Sequence, residues 1–272
     1  MSEPGPRRGA AAGRLVLIRR GSGEPFVLLH PLALAGALWM PAAEQLAGEF
    51  DVIAPDLRGH GDNSWDGGPF SIQHMAEDLA ATLDSLALPS VHLLGMSMGG
   101  SVAMSFAGAH PARVRSLVLA DTTAWYGPDA VGTWAQRAQR AASVSRVDQL
   151  PFQVDRWFSA DFRSTHSGEV GRVADIFLRT RSSAHAAAAT AMGQLDARPL
   201  LASISAPTLV LVGEQDYATP PAMATALSEA IPHASLRVLP TLRHLSLIEQ
   251  PDLFELVRQH LRAAAGSASE VR

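Results

Sequence analysis

The sequence of 272 residues contains no cysteine. This absence excludes disulfide bonds, a thiol nucleophile and metal centres held by thiolates. The histidines are scattered and no H-E-x-x-H pattern occurs, so we expect no metal site. No G-x-G-x-x-G pattern follows the first predicted strand, and we therefore expect no dinucleotide and no other cofactor.

The chain also lacks an excess of positive charge and a long apolar run. Its formal net charge is −4, which leaves no basic surface for nucleic acid. No apolar stretch is long enough to span a membrane, so no membrane partner is expected. Arg7 and Arg8 are not followed by the apolar segment of a signal peptide, which predicts a cytoplasmic protein. A homo-oligomer is compatible with the sequence but not required by it.

Short apolar runs alternate with helical patterns over much of the chain, and hydrophobic residues make up 47% of it. The runs predicted to be strands are 15–18, 26–29, 51–54, 91–94, 114–119, 208–212 and 236–239. Helices are predicted between them, the first over 35–48 and the last over 253–261. Because the strands are apolar throughout, they indicate a mostly parallel, doubly wound α/β sheet that helices cover on both faces.

The alternation stops in one segment, which predicts an insertion. Between residues 124 and 202 no strand-like run occurs, and we interpret this segment as a helical lid. The α/β core then comprises residues 13–123 and 203–263. Residues 1–12, rich in Pro, Gly, Arg and Ala, are predicted to be disordered, and residues 264–272 to form a flexible tail.

The segment VHLLGMSMGG, residues 91–100, carries the strongest chemical signal. A strand, a G-x-S-x-G turn around Ser97 and a small-residue helix follow one another, as a nucleophile elbow requires. Gly95 and Gly99 allow the close backbone approach of such a turn. The alternative is a glycine-rich turn with an incidental serine.

A serine nucleophile needs a base, and ten histidines compete for that role. Only His233, His244 and His260 follow the predicted lid. His233 precedes the last strand and His260 lies late in the last helix. His244 follows the last strand, at the same sheet edge as Ser97, and is therefore the predicted base.

The acid that orients the histidine has two serious candidates. Asp216 follows the strand 208–212 and Asp121 follows the strand 114–119, so both lie at the site edge. The chain order Ser, Asp, His and the turn context favour Asp216. Asp121 stays open as an alternative, and Glu214 is a remoter one.

An oxyanion hole needs two backbone donors. The N–H of Met98, directly after the nucleophile, is the first. The second is expected in the loop after the strand 26–29, where Pro31 has no N–H and Leu32 is the natural donor. The turn PDLRGHG, residues 55–61, is interpreted as structural, and His60 is not assigned as a ligand.

Together these residues resemble the α/β-hydrolase superfamily from Leu15 to Leu261. Within it the chain is most similar to 3-oxoadipate enol-lactonases. The stretches that carry this similarity are HPLALAGALW (30–39), GPFSIQHMAEDLAATLDSL (68–86), GMSMGG (95–100), RWFSADFR (156–163) and HLSLIEQP (244–251). The resemblance implies an α/β-hydrolase fold with Ser97 as nucleophile, Asp216 as acid and His244 as base. Two features depart from the pattern of the superfamily. The first strand expected in many relatives is short or missing before Leu15, and His30-Pro31 replaces the His-Gly that is usual in the oxyanion loop.

These observations predict a serine hydrolase that cleaves a small lactone or carboxylic ester through an acyl-serine intermediate. The resemblance further implies a role in the degradation of aromatic compounds. The alternatives are a general carboxylesterase, a perhydrolase or a C–C bond hydrolase of the same fold. A protein that only binds a ligand under the lid is a further alternative.

The lid residues Trp125, Trp134 and Arg137 are the predicted substrate contacts. A lactone derived from a dicarboxylic acid carries a free carboxylate, which needs a cation in the pocket. The lid supplies several arginines, of which the sequence identifies none as pointing inward: Arg137, Arg140, Arg156, Arg163, Arg179 and Arg181. The competing interpretation places the tryptophans in the lid core and the arginines in solvent.

Overall fold

A computed structural model describes residues 15–269 of the chain, with side chains through residue 265. The predicted disorder of residues 1–12 lies outside the described residues. The seven strands are β1 (Leu17–Arg20), β2 (Glu24–Leu29), β3 (Phe50–Pro55), β4 (Val91–Met96), β5 (Val114–Ala120), β6 (Thr208–Gly213) and β7 (Ala234–Leu239). They form one sheet in the order β1-β3-β2-β4-β5-β6-β7, and every pair is parallel except β1 with β3.

Helices cover both faces of this sheet. The helices are α1 (Met40–Leu46), α2 (Ile72–Ser85), α3 (Met98–Ala109), α4 (Ala130–Ser143), α5 (Arg146–Trp157), α6 (Ala160–Thr165), α7 (Ser167–Arg179), α8 (Ser182–Gly193), α9 (Arg198–Leu201), α10 (Pro221–Ala230), α11 (Ser246–Glu249) and α12 (Leu253–Ser269). On β2, Val27 and Leu29 belong to the apolar core on one face of the sheet, with residues of α2, α3 and α10, while Phe26 and Leu28 belong to the core on the other face, with residues of α1 and α12. This alternation explains why the strands are apolar throughout: each one buries both of its faces.

Two predicted elements near the N-terminus differ from the structure. The first strand starts at Leu17 instead of Leu15, because its pairing with β3 runs from Leu17 opposite Pro55 to Arg20 opposite Val52. The helix predicted over 35–48 is a 3-10 turn at Gly36–Trp39 followed by α1, with Pro41 in its first turn. Proline is favoured at a helix start, so it separates the two segments.

The C-terminal helix also differs from its prediction. The tail predicted to be flexible from residue 264 is helical as far as Ser269, because α12 continues beyond Leu261. Residues 261–269 read LRAAAGSAS, and the alanines among them favour helix. The remainder of the predicted tail, residues 270–272, lies outside the described residues.

Six helices, α4 to α9, lie between β5 and β6, within the segment predicted to be a lid. Three hydrogen bonds join them to loops that follow the carboxyl ends of the strands. Thr180 donates to the Ala33 carbonyl (2.8 Å), Arg181 to the Asn63 carbonyl (2.8 Å), and the Leu245 N–H to the Trp157 carbonyl (3.0 Å). The helices therefore lie against the edge of the sheet where Ser97 follows the end of β4.

Within residues 15–269, no helix combines the length and the apolarity needed to cross a membrane.

Candidate active site

Ser97 lies in a strained turn between β4 and α3. Its φ is 54° and its ψ −120°, a backbone conformation that non-glycine residues rarely adopt. The Ser97 N–H donates to the Ala120 carbonyl at 2.9 Å, and the Thr122 hydroxyl donates to the Ser97 carbonyl at 2.7 Å. These bonds hold the turn, and the serine is 5% exposed.

The two glycines of the turn are required by close packing. A Cβ on Gly95 would collide with the backbone of Gly99 and Gly100, and one on Gly99 with the carbonyl groups of Leu29 and His30. The start of α3 thus lies against the end of β2. The sequence signal for a nucleophile elbow corresponds to this geometry.

A continuous hydrogen-bond chain joins Ser97, His244 and Asp216. The His244 Nε2 lies 2.9 Å from the Ser97 Oγ, and the His244 Nδ1 lies 2.8 Å from an Asp216 Oδ2. All three side chains are buried. The structure therefore brings together the three residues predicted to be nucleophile, base and acid, in the arrangement that lets a histidine accept a serine proton.

Asp216 is held in one orientation by the loop that follows β6. Its Oδ1 accepts the N–H groups of Ala218 (2.7 Å) and Thr219 (3.1 Å), and its Oδ2 accepts the Thr219 hydroxyl (2.8 Å). Burial by itself raises the pKa of Asp216. His244 and these hydrogen bonds outweigh burial, so the pKa lies below its ordinary value and the carboxylate is ionised.

Asp121, the alternative acid, makes no hydrogen bond with His244 among the described residues. Its Oδ1 accepts the Gly213 N–H (3.0 Å), and its Oδ2 accepts the N–H (3.0 Å) and the hydroxyl (2.7 Å) of Ser246. Burial, together with the nearby Asp216 charge, raises the pKa of Asp121 well above its ordinary value. The side chain thus ties the loop that carries Asp216 to the loop that carries His244.

The predicted oxyanion donors lie at two neighbouring backbone positions. Met98 is the first residue of α3, where a helix N–H has no acceptor within the helix. Leu32 lies in the loop after β2, and its N–H donates no hydrogen bond within residues 15–269. Since Gly99 packs against Leu29 and His30, the start of α3 is adjacent to that loop.

Two buried histidines support the Leu32 loop. The His30 Nε2 accepts the Leu57 N–H at 3.0 Å, and the His60 Nε2 accepts the Ala33 N–H at 3.2 Å. Burial lowers the pKa of His30 to about 4 and that of His60 to about 3, so both are neutral acceptors at pH 7. This arrangement agrees with the interpretation of His60 as structural, and it identifies a role for His30 that the sequence did not indicate.

A small cavity of about 40 Å³ lies between Leu32 and the helices α4, α5 and α8. Trp134 and Arg137, two of the predicted substrate contacts, line it, together with Arg156 and His185. Trp125 does not. The Arg198 guanidinium lies over the Trp125 ring, 3.8 Å from the ring centroid, and Trp125 lines a separate apolar groove beside α10. Arg156 was one of the six candidate lid arginines, and the sequence did not single it out because nothing in its local pattern separates it from the others.

Within residues 15–269, no cluster of three or more histidine, aspartate and glutamate side chains could hold a metal ion.

Comparisons with known proteins agree with this geometry. Residues 24–251 match the family model described as alpha/beta hydrolase fold. The chain is 31% identical, over 80% of each sequence, to 3-oxoadipate enol-lactonase 2 of Acinetobacter baylyi. Two solved structures resemble it: a thermophilic esterase from Thermogutta terrifontis with malate bound (TM-score 0.86, 33% identity, 92% of this chain and 93% of that one) and the enol-lactonase of Burkholderia xenovorans LB400 (TM-score 0.85, 28% identity, 91% and 96%).

Proposed function

This chain belongs to the α/β-hydrolase family and is a hydrolase, and we propose that it cleaves a small lactone or carboxylic ester through an acyl-Ser97 intermediate. The observation that carries the proposal is the hydrogen-bond chain from Ser97 through His244 to Asp216. The proposed substrate class is that of 3-oxoadipate enol-lactone, in view of the enol-lactonases among the similar proteins.

In the first half of the reaction, the Ser97 oxygen attacks the substrate carbonyl while the His244 Nε2 takes the hydroxyl proton. Asp216 holds the Nδ1–H of His244 and stabilises the imidazolium. The N–H groups of Leu32 and Met98 donate to the developing oxyanion. When the C–O bond breaks, the leaving oxygen takes the proton from His244, and the acyl group stays on Ser97.

In the second half, His244 takes a proton from water, and the hydroxide attacks the acyl-serine carbonyl. The tetrahedral intermediate then expels the Ser97 oxygen, which recovers its proton from His244. The product is a free carboxylic acid. An enol-lactone suits this sequence of steps, because an enol is more acidic than an alcohol and is therefore a better leaving group.

A fluorophosphonate probe tests the proposal directly. We expect stoichiometric labelling of the wild-type protein at Ser97 and none in Ser97→Ala. A panel of 3-oxoadipate enol-lactone, neutral lactones and short 4-nitrophenyl esters then defines the substrate. Turnover confined to neutral or long-chain esters would leave a general carboxylesterase, and absence of both labelling and turnover would leave a ligand-binding protein.

A further inference from the structure

Arg156, in the helix α5, is a buried cation that forms no close ion pair among the described residues, and the Asp216 carboxylate acts on it only at longer range. The residue is 9% exposed, and its side chain makes no hydrogen bond or ion pair within the described part of the chain. Burial lowers the pKa of its guanidinium. An unpaired buried charge costs several kcal/mol as a rule, so proteins seldom retain one without a use.

A second arginine lies beside it in the same cavity. Burial and the charge of Arg156 lower the pKa of Arg137 to about 10. The Arg137 guanidinium lies 4.5 Å from the centroid of the Trp134 ring and forms no ion pair among the described residues. The two guanidinium groups in this cavity therefore repel each other. In most proteins an acidic side chain between two such cations would offset the repulsion.

A phenol completes the cluster. Tyr126 packs edge to face on Trp134 with ring centroids 4.9 Å apart, and its hydroxyl is electrostatically coupled to both arginines. Burial raises the pKa of Tyr126 to about 12, so the hydroxyl remains a donor at neutral pH. Arg137 and Arg156 thus line a cavity whose lining includes no aspartate or glutamate, and Tyr126 lies close enough to interact with both arginines.

The neighbouring lid arginines have partners elsewhere. Arg163 forms an ion pair with Asp155 (2.9 Å) and Arg172 forms one with Glu169 (2.6 Å). Arg146 contacts the His185 ring nitrogen at 2.6 Å. Arg137 and Arg156 differ from these because they line the cavity beside Leu32, the predicted oxyanion donor; Arg140 also lines this cavity but is exposed.

We propose that Arg156 and Arg137 form a subsite for a carboxylate that belongs to the acyl part of the substrate. The proposal rests on the proposed function and narrows it: the substrate is a small ester or lactone that also carries a free acid. Guanidinium groups suit this role, since they bind carboxylates through paired N–H donors. Binding would also relieve the repulsion between the two cations.

The test compares two esters that differ only in charge: mono-4-nitrophenyl adipate and its methyl-capped diester. We expect the wild-type enzyme to prefer the acid by about 10- to 100-fold in kcat/KM, mostly through KM, as charged hydrogen bonds of this strength imply. Arg156→Gln should lose that preference and keep its activity on the capped diester within about threefold.

Further variants separate binding from folding. Arg137→Gln, at a less buried position, should weaken the preference in the same direction. Arg179→Gln, an exposed arginine of the same lid, should leave both esters unaffected. Because an unpaired buried cation is removed, Arg156→Gln should unfold at the same temperature as the wild type or higher.

Three results would overturn the inference. If the wild type hydrolyses both esters equally well, or if Arg156→Gln and Arg137→Gln reduce activity on both esters to the same extent, then the arginines do not bind a substrate carboxylate and the hydrolase proposal still stands. If neither ester is hydrolysed and Ser97 is not labelled, the proposed function fails and the subsite with it.

Discussion

At the scale of single residues, Ser97 and His244 are far apart in the chain yet hydrogen-bonded at 2.9 Å. If Ser97 is the nucleophile and His244 its base, Ser97→Ala and His244→Ala should each lower kcat on the order of 10³-fold or more. Steady-state kinetics on an activated ester measures this loss, and circular dichroism checks that the variants fold. Near-native turnover in either variant would contradict the role assigned to that residue.

The two aspartates at the site edge should respond differently to the same substitution. Asp216→Asn replaces the carboxylate that holds the His244 Nδ1–H, so kcat should fall on the order of 10³- to 10⁴-fold. Asp121→Asn removes a carboxylate that accepts hydrogen bonds from Gly213 and Ser246, and it should lower kcat by less than about tenfold. A larger loss of kcat in Asp121→Asn, measured with both proteins folded, would exchange the two roles.

At the scale of elements, the contact between α3 and β2 places the nucleophile beside the oxyanion loop. Gly99→Ala would put a methyl group against the backbone carbonyls of Leu29 and His30, which cannot withdraw without moving β2. We expect a loss of about 1–3 kcal/mol in the free energy of unfolding and a lower kcat. Urea unfolding and steady-state kinetics measure the two effects.

A glycine in an open helix position is the matched control. Gly171 lies within α7, and a Cβ there would meet nothing within 4 Å. Gly171→Ala should therefore raise the free energy of unfolding by about 0.5–1 kcal/mol and leave kcat unchanged. If both alanine variants behave alike, the close packing of the elbow does not explain the requirement for Gly99.

At the scale of the whole molecule, buried neutral histidines make stability depend on pH. Folding lowers the pKa of His30 to about 4 and that of His60 and His185 to about 3, from an ordinary value of 6.5. Between pH 6.5 and these values the unfolded chain binds protons that the folded chain does not. The stability that these groups contribute is thus complete above pH 6.5 and is lost as the pH falls.

We therefore expect the free energy of unfolding to decrease between pH 7 and pH 5, by up to about 1.4 kcal/mol per pH unit for each such histidine. Asp121, with its raised pKa, opposes this slope. Two variants isolate the histidine contribution. His185→Gln should reduce the dependence of the free energy of unfolding on pH, whereas His233→Gln, at an exposed position, should leave it unchanged. Equal slopes in all three proteins would contradict the assignment.

The sequence by itself determined the features that depend on neighbouring residues. Each predicted strand lies within or overlaps an observed one, because strands buried on both faces leave continuous apolar runs. The nucleophile elbow around Ser97 could also be predicted from the sequence, because its strand, its glycines and its helix follow one another along the chain. Its placement at the carboxyl end of β4 then restricted the base to the loop after β7, where His244 lies.

The tertiary structure decided what depends on distant partners. Asp121 and Asp216 both follow parallel strands, and only the path of the His244 loop places one of them at Nδ1 and the other at Ser246. Among the lid arginines, only the arrangement of α4, α5 and α8 around one cavity shows that Arg137 and Arg156 share a lining that includes no acid. Side-chain periodicity is a property of a single segment, whereas burial and ion pairing are set by segments far apart in the chain.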